Sequence, residues 1–262
     1  MVYPPIVVPN QIGSISRSFS LGTSSFDIDN LYSPGNVFSD SLVLDLASPK
    51  YVPNKKYIFC RSGNDNNGTI TGAVWIQLPS GIWYLAFDGT DDRVNIIHAS
   101  SLNAVLVITY IVWVRPTITW QDTTGFHQIF DKRSDAGGIV PTFLYSDTSN
   151  TLAMFSGTTC ATGTKASFAA GTWFMVAGMA VDGVVGGAGN KVWINGMDDT
   201  SATDTATFAT NTDDLVIGAS FADPGYSNFL KGGVALGRQF SRSFTDAEIF
   251  SIFNRERHLF GV

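Results

Sequence analysis

The stretch Phe87-Asp88-Gly89-Thr90-Asp91-Asp92, followed downstream by Val112-Trp113-Val114-Arg115-Pro116, decides how this chain is read. Asp-Gly and Asp-Asp supply the positive φ and the side-chain-to-backbone bonds that a tight reversal needs. The flanking Val94, Ile96, Val112, Trp113 and Val114 are stiff or aromatic side chains that suit a pleated, half-buried surface. Together they predict a turn between two strands of a jelly-roll sandwich.

Upstream of this turn, Val74-Trp75-Ile76-Gln77-Leu78 and Ile82-Trp83-Tyr84-Leu85 flank Pro79-Ser80-Gly81 and read as a hairpin. Downstream, apolar runs at residues 106–114, 128–131, 142–145, 152–155, 173–181, 191–194, 215–217 and 234–240 are each bounded by Gly, Asn, Asp or Ser, enough strands for two facing sheets. Asn195-Gly196 after Val192-Trp193-Ile194 is a type I′ turn signal, because that turn requires φ > 0 at both central residues. One helix is expected. Thr245-x-x-Glu248 is a capping box, Ile249, Phe250, Ile252 and Phe253 form an apolar face, and Arg255, Arg257 and His258 favour the negative end of the helix dipole. The fold class is therefore all-β, a two-sheet antiparallel jelly-roll sandwich with one short C-terminal helix. Residues 81–262 are assigned to the sandwich. Residues 1–80, Pro-rich and then Ser-rich, are assigned to an extended N-terminal arm with added strands.

Composition supports one main domain: 262 residues, 44% hydrophobic and 15% charged, with 26 glycines and 10 prolines to punctuate short strands. A net charge of −6 lacks the basic footprint of a nucleic-acid binder. No apolar run is long enough for a membrane-spanning helix, and Met1-Val2-Tyr3-Pro4-Pro5 has no signal-peptide pattern. Cys60 and Cys160 have no metal or redox spacing and are expected to be free, buried and hydrophobic in role.

Taken in order, Phe87-Asp88-Gly89-Thr90-Asp91-Asp92-Arg93-Val94, Val112-Trp113-Val114-Arg115-Pro116, Ile129-Phe130-Asp131-Lys132, Gly171-Thr172-Trp173, Lys191-Val192-Trp193-Ile194-Asn195-Gly196, Val216-Ile217-Gly218 and Phe244-Thr245-Asp246-Ala247-Glu248-Ile249 resemble the laminin-G-like, concanavalin A-like lectin/glucanase jelly-roll family. The resemblance implies a scaffold whose members bind glycans or proteins, act as adhesion modules, or hydrolyse polysaccharides. Such a scaffold does not choose among these functions.

The hydrolases of that family place Glu-x-Asp-x-x-Glu along one strand, whereas the glutamates here, Glu248 and Glu256, both fall on the predicted helix. The pairs Asp91/Asp92, Asp198/Asp199 and Asp213/Asp214 read as turn-makers, and His98, His127 and His258 sit in unrelated contexts. No catalytic residue is assigned. Calcium is the one cofactor considered, with Asp88, Asp91 and Asp92 as its oxygen donors. In relatives with a structural calcium an acid lies in the last core strand, where this chain has Ala235 and Leu236. Sugars stack on aromatics beside carboxylates, which makes Trp120 with Asp122, Tyr145 with Asp147, and Asp223 with Tyr226 the glycan-binding candidates. Low charge, Gly/Thr/Ser richness and an untagged run from Met1 to Val262 point to a virion capsid-decoration or tail surface protein. Its partners would be neighbouring subunits in a homo-oligomer or particle, with no nucleic acid and no membrane. The alternative is a secreted or cell-surface lectin, and a polysaccharide hydrolase ranks last.

Overall fold

The computed structural model describes residues 41–46, 53–103, 105–121, 125–132, 141–146, 151–156, 158–184, 189–222 and 225–262. Two antiparallel sheets face each other. The first runs in the order β14 (Met197–Asp198), β13 (Lys191–Ile194), β12 (Phe174–Val181), β7 (Val107–Pro116), β19 (Lys231–Phe240), β5 (Trp83–Asp88) and β4 (Val74–Gln77), with β1 (Leu42–Leu46) paired to the far half of β19. The second runs β15 (Thr200–Thr203), β11 (Thr158–Gly163), β10 (Thr151–Ser156), β9 (Thr142–Ser146), β8 (His127–Asp131), β16 (Leu215–Ile217), β6 (Arg93–Ile96), β3 (Gly68–Thr71) and β2 (Tyr57–Ile58). A small hairpin, β17 (Ser220–Ala222) with β18 (Gly225–Ser227), stands apart, and α1 (Asp246–Phe260) ends the chain.

The opening stretch is the crossing between the sheets. Asp88 ends β5 in the first sheet and Arg93 begins β6 in the second, with Gly89 at φ 84° between them. Asp88 Oδ1 accepts the Thr90 N–H at 2.7 Å and Asp92 Oδ2 accepts the Asp88 N–H at 2.8 Å. The turn therefore satisfies its own backbone donors with its aspartates.

Strands β1 to β4, all N-terminal to residue 81, are hydrogen-bonded members of the two sheets. Residues 1–40, which make up most of the expected arm, lie outside the described residues.

Two cores explain why β7 reads as a continuous apolar run. Ile108, Tyr110, Val112 and Val114 point between the sheets, while Ile111 and Trp113 point to the other face, beneath α1. Tyr110 stacks on Phe130 of the facing sheet, with ring centroids 4.5 Å apart. Under the helix, Trp113 stacks on Phe260 at 4.0 Å, and Trp173 and Trp193 are buried beside Ile249, Ile252 and Phe253. Sheet two, sheet one and the helix thus form three layers.

The local signals behave as their chemistry requires. Asn195 and Gly196 have φ of 50° and 82°, the two positive values of a type I′ turn. Thr245 and Glu248 cap each other reciprocally, and Gly261 at φ 72° closes α1 in the left-handed conformation. The helix also buries a charge that its apolar face did not announce. Glu256 pairs with Arg238 through two bonds of 2.8 Å and accepts the Trp113 indole N–H at 2.7 Å. Cys160 is buried as expected, but Cys60 is partly exposed because it lies beyond the end of β2, with Sγ 3.1 Å from Ser62 Oγ.

Candidate functional site

Strand β6 alternates, so Val94 and Ile96 enter the inter-sheet core while Arg93 and Asn95 face outward. Its neighbour β16 does the same: Leu215 and Ile217 face in, and Val216, paired with Asn95, shares the outer face. Beyond β16, Gly218 at φ 85° turns the chain into the β17–β18 hairpin, which sets Phe221 directly opposite Tyr226. Their rings meet edge to face at 5.4 Å.

Tyr226 is held from three sides. Its hydroxyl accepts the Asn95 Nδ2–H at 2.7 Å, the Arg93 guanidinium lies 4.1 Å over its ring, and Phe221 abuts it. Arg93 in turn donates to Asn95 Oδ1 at 3.1 Å and to the Asp91 carbonyl at 3.0 Å. The ring is thus fixed in orientation, and among the described residues its hydroxyl proton has no acceptor.

The opposite wall is the segment that leads into β16. Thr212, Asp213, Asp214, Val216, Phe221 and Tyr226 line a cavity of about 240 Å³. Asp214 Oδ1 accepts the His98 N–H at 3.0 Å, and among the described residues the Asp213 carboxylate accepts no hydrogen bond. Behind this wall Lys132 is fully buried at the end of β8. Its Nζ donates to Asp213 O at 2.5 Å and to Asn211 Oδ1 at 3.0 Å, and lies 3.2 Å from His98 Nδ1. Burial pulls the ammonium down to about 8, against the opposing pull of Asp213 and Asp214. An aromatic pair, half-buried carboxylates and a positioned hydroxyl around a cavity make a set that takes a polar molecule with an apolar flank.

Of the residues predicted from sequence, Tyr226 lies in this cavity; Asp223, Asp122 and Asp147 lie outside the described residues. Trp120 and Tyr145 require correction. Both are fully buried, because Trp120 forms a bridge with Phe168 and stacks on His127 at 4.8 Å, with Tyr145 packed beside it at 5.6 Å. Neither can offer a ring face to a sugar. Asp213 and Asp214, read as turn-makers, instead border the cavity. Arg93 and Asn95 carry no motif; the polar-apolar alternation of Arg93-Val94-Asn95-Ile96 is the signal that assigns them to the outer face.

Asp88, Asp91 and Asp92 do converge, with one carboxylate oxygen from each within 4.8 Å of the others. A calcium ion takes six to eight oxygens. Here Asp88 Oδ1 and Asp92 Oδ2 are held by the backbone N–H groups of their own turn, and burial pushes the Asp92 carboxyl above its ordinary value. The donor set fits a self-satisfied turn and not a calcium cage, so no role is derived through the ion.

Known structures share this architecture. They include botulinum neurotoxin type C, which enters cells in dependence on two ganglioside molecules (13% identity, TM-score 0.57, 83% of this chain and 52% of that one). The binding domain of Paraclostridial Mosquitocidal Protein 1 matches at 12% identity and TM-score 0.59, over 83% of this chain and 52% of the other. The binding domain of botulinum neurotoxin DC, solved with rat synaptotagmin II, matches at 15% identity and TM-score 0.57, again over 83% and 52%. The chain spans about half the length of these structures, and likeness at such identities is likeness of fold. No curated protein matches the sequence significantly. The family model of the concanavalin A-like lectin/glucanases superfamily matches residues 88–250, and on that match the chain belongs to this family.

Proposed function

We propose that this chain is a non-enzymatic glycan-binding module whose site is the cavity between the segment before β16 and the β17–β18 hairpin. The observation that carries the reading is Tyr226, held by Asn95, Arg93 and Phe221 opposite the carboxylates of Asp213 and Asp214. Aromatic C–H stacking with hydroxyl-to-carboxylate bonding is how a protein grips a pyranose. The fold relatives lend support: botulinum neurotoxin type C interacts with gangliosides, and the DC binding domain has been solved with SialylT.

Binding is favoured over hydrolysis by the state of the glutamates. Glu256 is buried in its pair with Arg238, and Glu248 is held by Thr245 and Arg242. Neither is left to serve as acid or nucleophile. The test is a glycan array read with the wild-type chain and with Tyr226→Ala. The expected result is a defined set of glycans retained by the wild type and lost by the variant; an empty array, or hits that Tyr226→Ala retains, would overturn the reading.

A second reading, assembly with neighbouring subunits on a virion or other extracellular surface, is favoured by one further observation. Strand β4 ends the first sheet with Val74 and Ile76 exposed, next to a groove of about 450 Å³ lined by Pro53, Lys55, Trp75 and Trp83. An apolar edge strand is a template for pairing with another chain. Light scattering on the purified chain tests it: a stable oligomer dispersed by Ile76→Lys supports assembly, and a monomer at all concentrations refutes it.

A further inference from the structure

Resting on the glycan-binding reading, we infer that the site takes an uncharged, hydroxyl-rich saccharide and rejects saccharides that carry a carboxylate, sulfate or phosphate. Among the described residues the charges that line the cavity are negative. Asp213 and Asp214 both border it; the Asp213 carboxylate accepts no bond among the described residues, and Asp214 has one oxygen engaged by the His98 N–H. Free carboxylate oxygens accept strongly from sugar hydroxyls, and a vicinal pair of hydroxyls supplies two such donors. An anionic sugar brought to the same place meets like charges at short range.

Neither nearby cation faces the cavity, because each is engaged outside it. Arg93 lies 4.1 Å over the Tyr226 ring and donates to Asn95 Oδ1 and to the Asp91 carbonyl. The Lys132 ammonium is buried behind the wall, where Asp213 O, Asn211 Oδ1 and His98 Nδ1 surround it. Neither borders the cavity. A cationic ligand is disfavoured because Arg93 already covers a face of Tyr226. An uncharged pyranose is the ligand that uses the carboxylates as acceptors, Tyr226 O–H as donor and the Phe221–Tyr226 pair as its apolar contact.

The test uses the full chain on an array of neutral, amino, sialylated and sulfated glycans. Calorimetry then follows on a matched pair: the strongest neutral ligand and its sialylated counterpart. The expected result is binding of neutral glycans, with the sialylated counterpart at least about tenfold weaker. Asp213→Asn should weaken the neutral ligand and narrow that gap. Binding confined to sialylated or sulfated glycans, or to amino sugars, and lost in Tyr226→Ala, would overturn this inference while sustaining the glycan-binding reading. A gap unchanged in Asp213→Asn would overturn it too, whereas no binding of any glycan would sink both.

Discussion

Asp45 is a carboxylic acid in the wrong medium. It is buried on β1, its Oδ1 has no hydrogen-bond partner among the described residues, and Arg61 Nε lies 3.6 Å from its Oδ2. Burial lifts its pKa from 3.8 to about 6, with Arg61 opposing and Glu256 adding to the rise. Because the folded value lies above the unfolded one, the protonated form favours the fold. That contribution is complete below pH 3.8 and is lost as the pH rises through about 6. Asp45→Asn is therefore expected to be more stable than the wild type at pH 7.5 by about 1–2 kcal/mol, with the gap closing toward pH 4. Urea denaturation at the two pH values checks this, and an equal gap at both would contradict it. Glu256 is the opposite case, since both of its oxygens are engaged. Glu256→Ala removes the carboxylate that pairs with the buried Arg238 guanidinium, and a loss of about 3–5 kcal/mol is expected in thermal or chemical unfolding.

Between elements, Lys132 ties the end of β8 to the segment before β16, and Asn211 Nδ2 returns a bond of 2.7 Å to the Lys132 carbonyl. Its folded pKa of about 8 lies below the unfolded 10.5, so this titration adds stability as the pH rises from 8 to 10.5, while the ammonium gives up a proton it donates to the wall of the site. The Asn211 side-chain amide resonances should titrate with a midpoint near pH 8 in the wild type and not in Lys132→Met. Invariant shifts up to pH 10 would contradict the assignment. At the helix start, Thr245→Ala should cost about 1 kcal/mol, because it removes one half of the reciprocal cap. The elements were legible because their signals are local: Asn195-Gly196 and Thr245-x-x-Glu248 each lie within a few residues. The site was not, because it joins Arg93 and Asn95, Thr212 to Asp214, and Phe221 and Tyr226 from separate segments. The burial of Trp120 depends on Phe168, 48 positions on (168 − 120), and no local pattern around Trp120 distinguishes a core ring from a rim ring.

At the scale of the whole molecule the two faces have different tasks. The outer face of the first sheet is covered by α1 around Trp113, Phe253 and Phe260, so that part of it is structural. The outer face of the second sheet carries the cavity, with the β17–β18 hairpin beside it. Among the described residues no helix is long and apolar enough to cross a membrane. The central claim is that a glycan binds at the Tyr226 cavity. It is tested most directly by titrating isotope-labelled protein with the best neutral glycan and mapping amide shifts. Binding at this cavity gives changes concentrated at Asn95, Asp213, Val216, Phe221 and Tyr226 that vanish in Tyr226→Ala. Changes centred instead on Val74, Trp75 and Trp83 at the β4 edge, or no changes with any glycan, would contradict it.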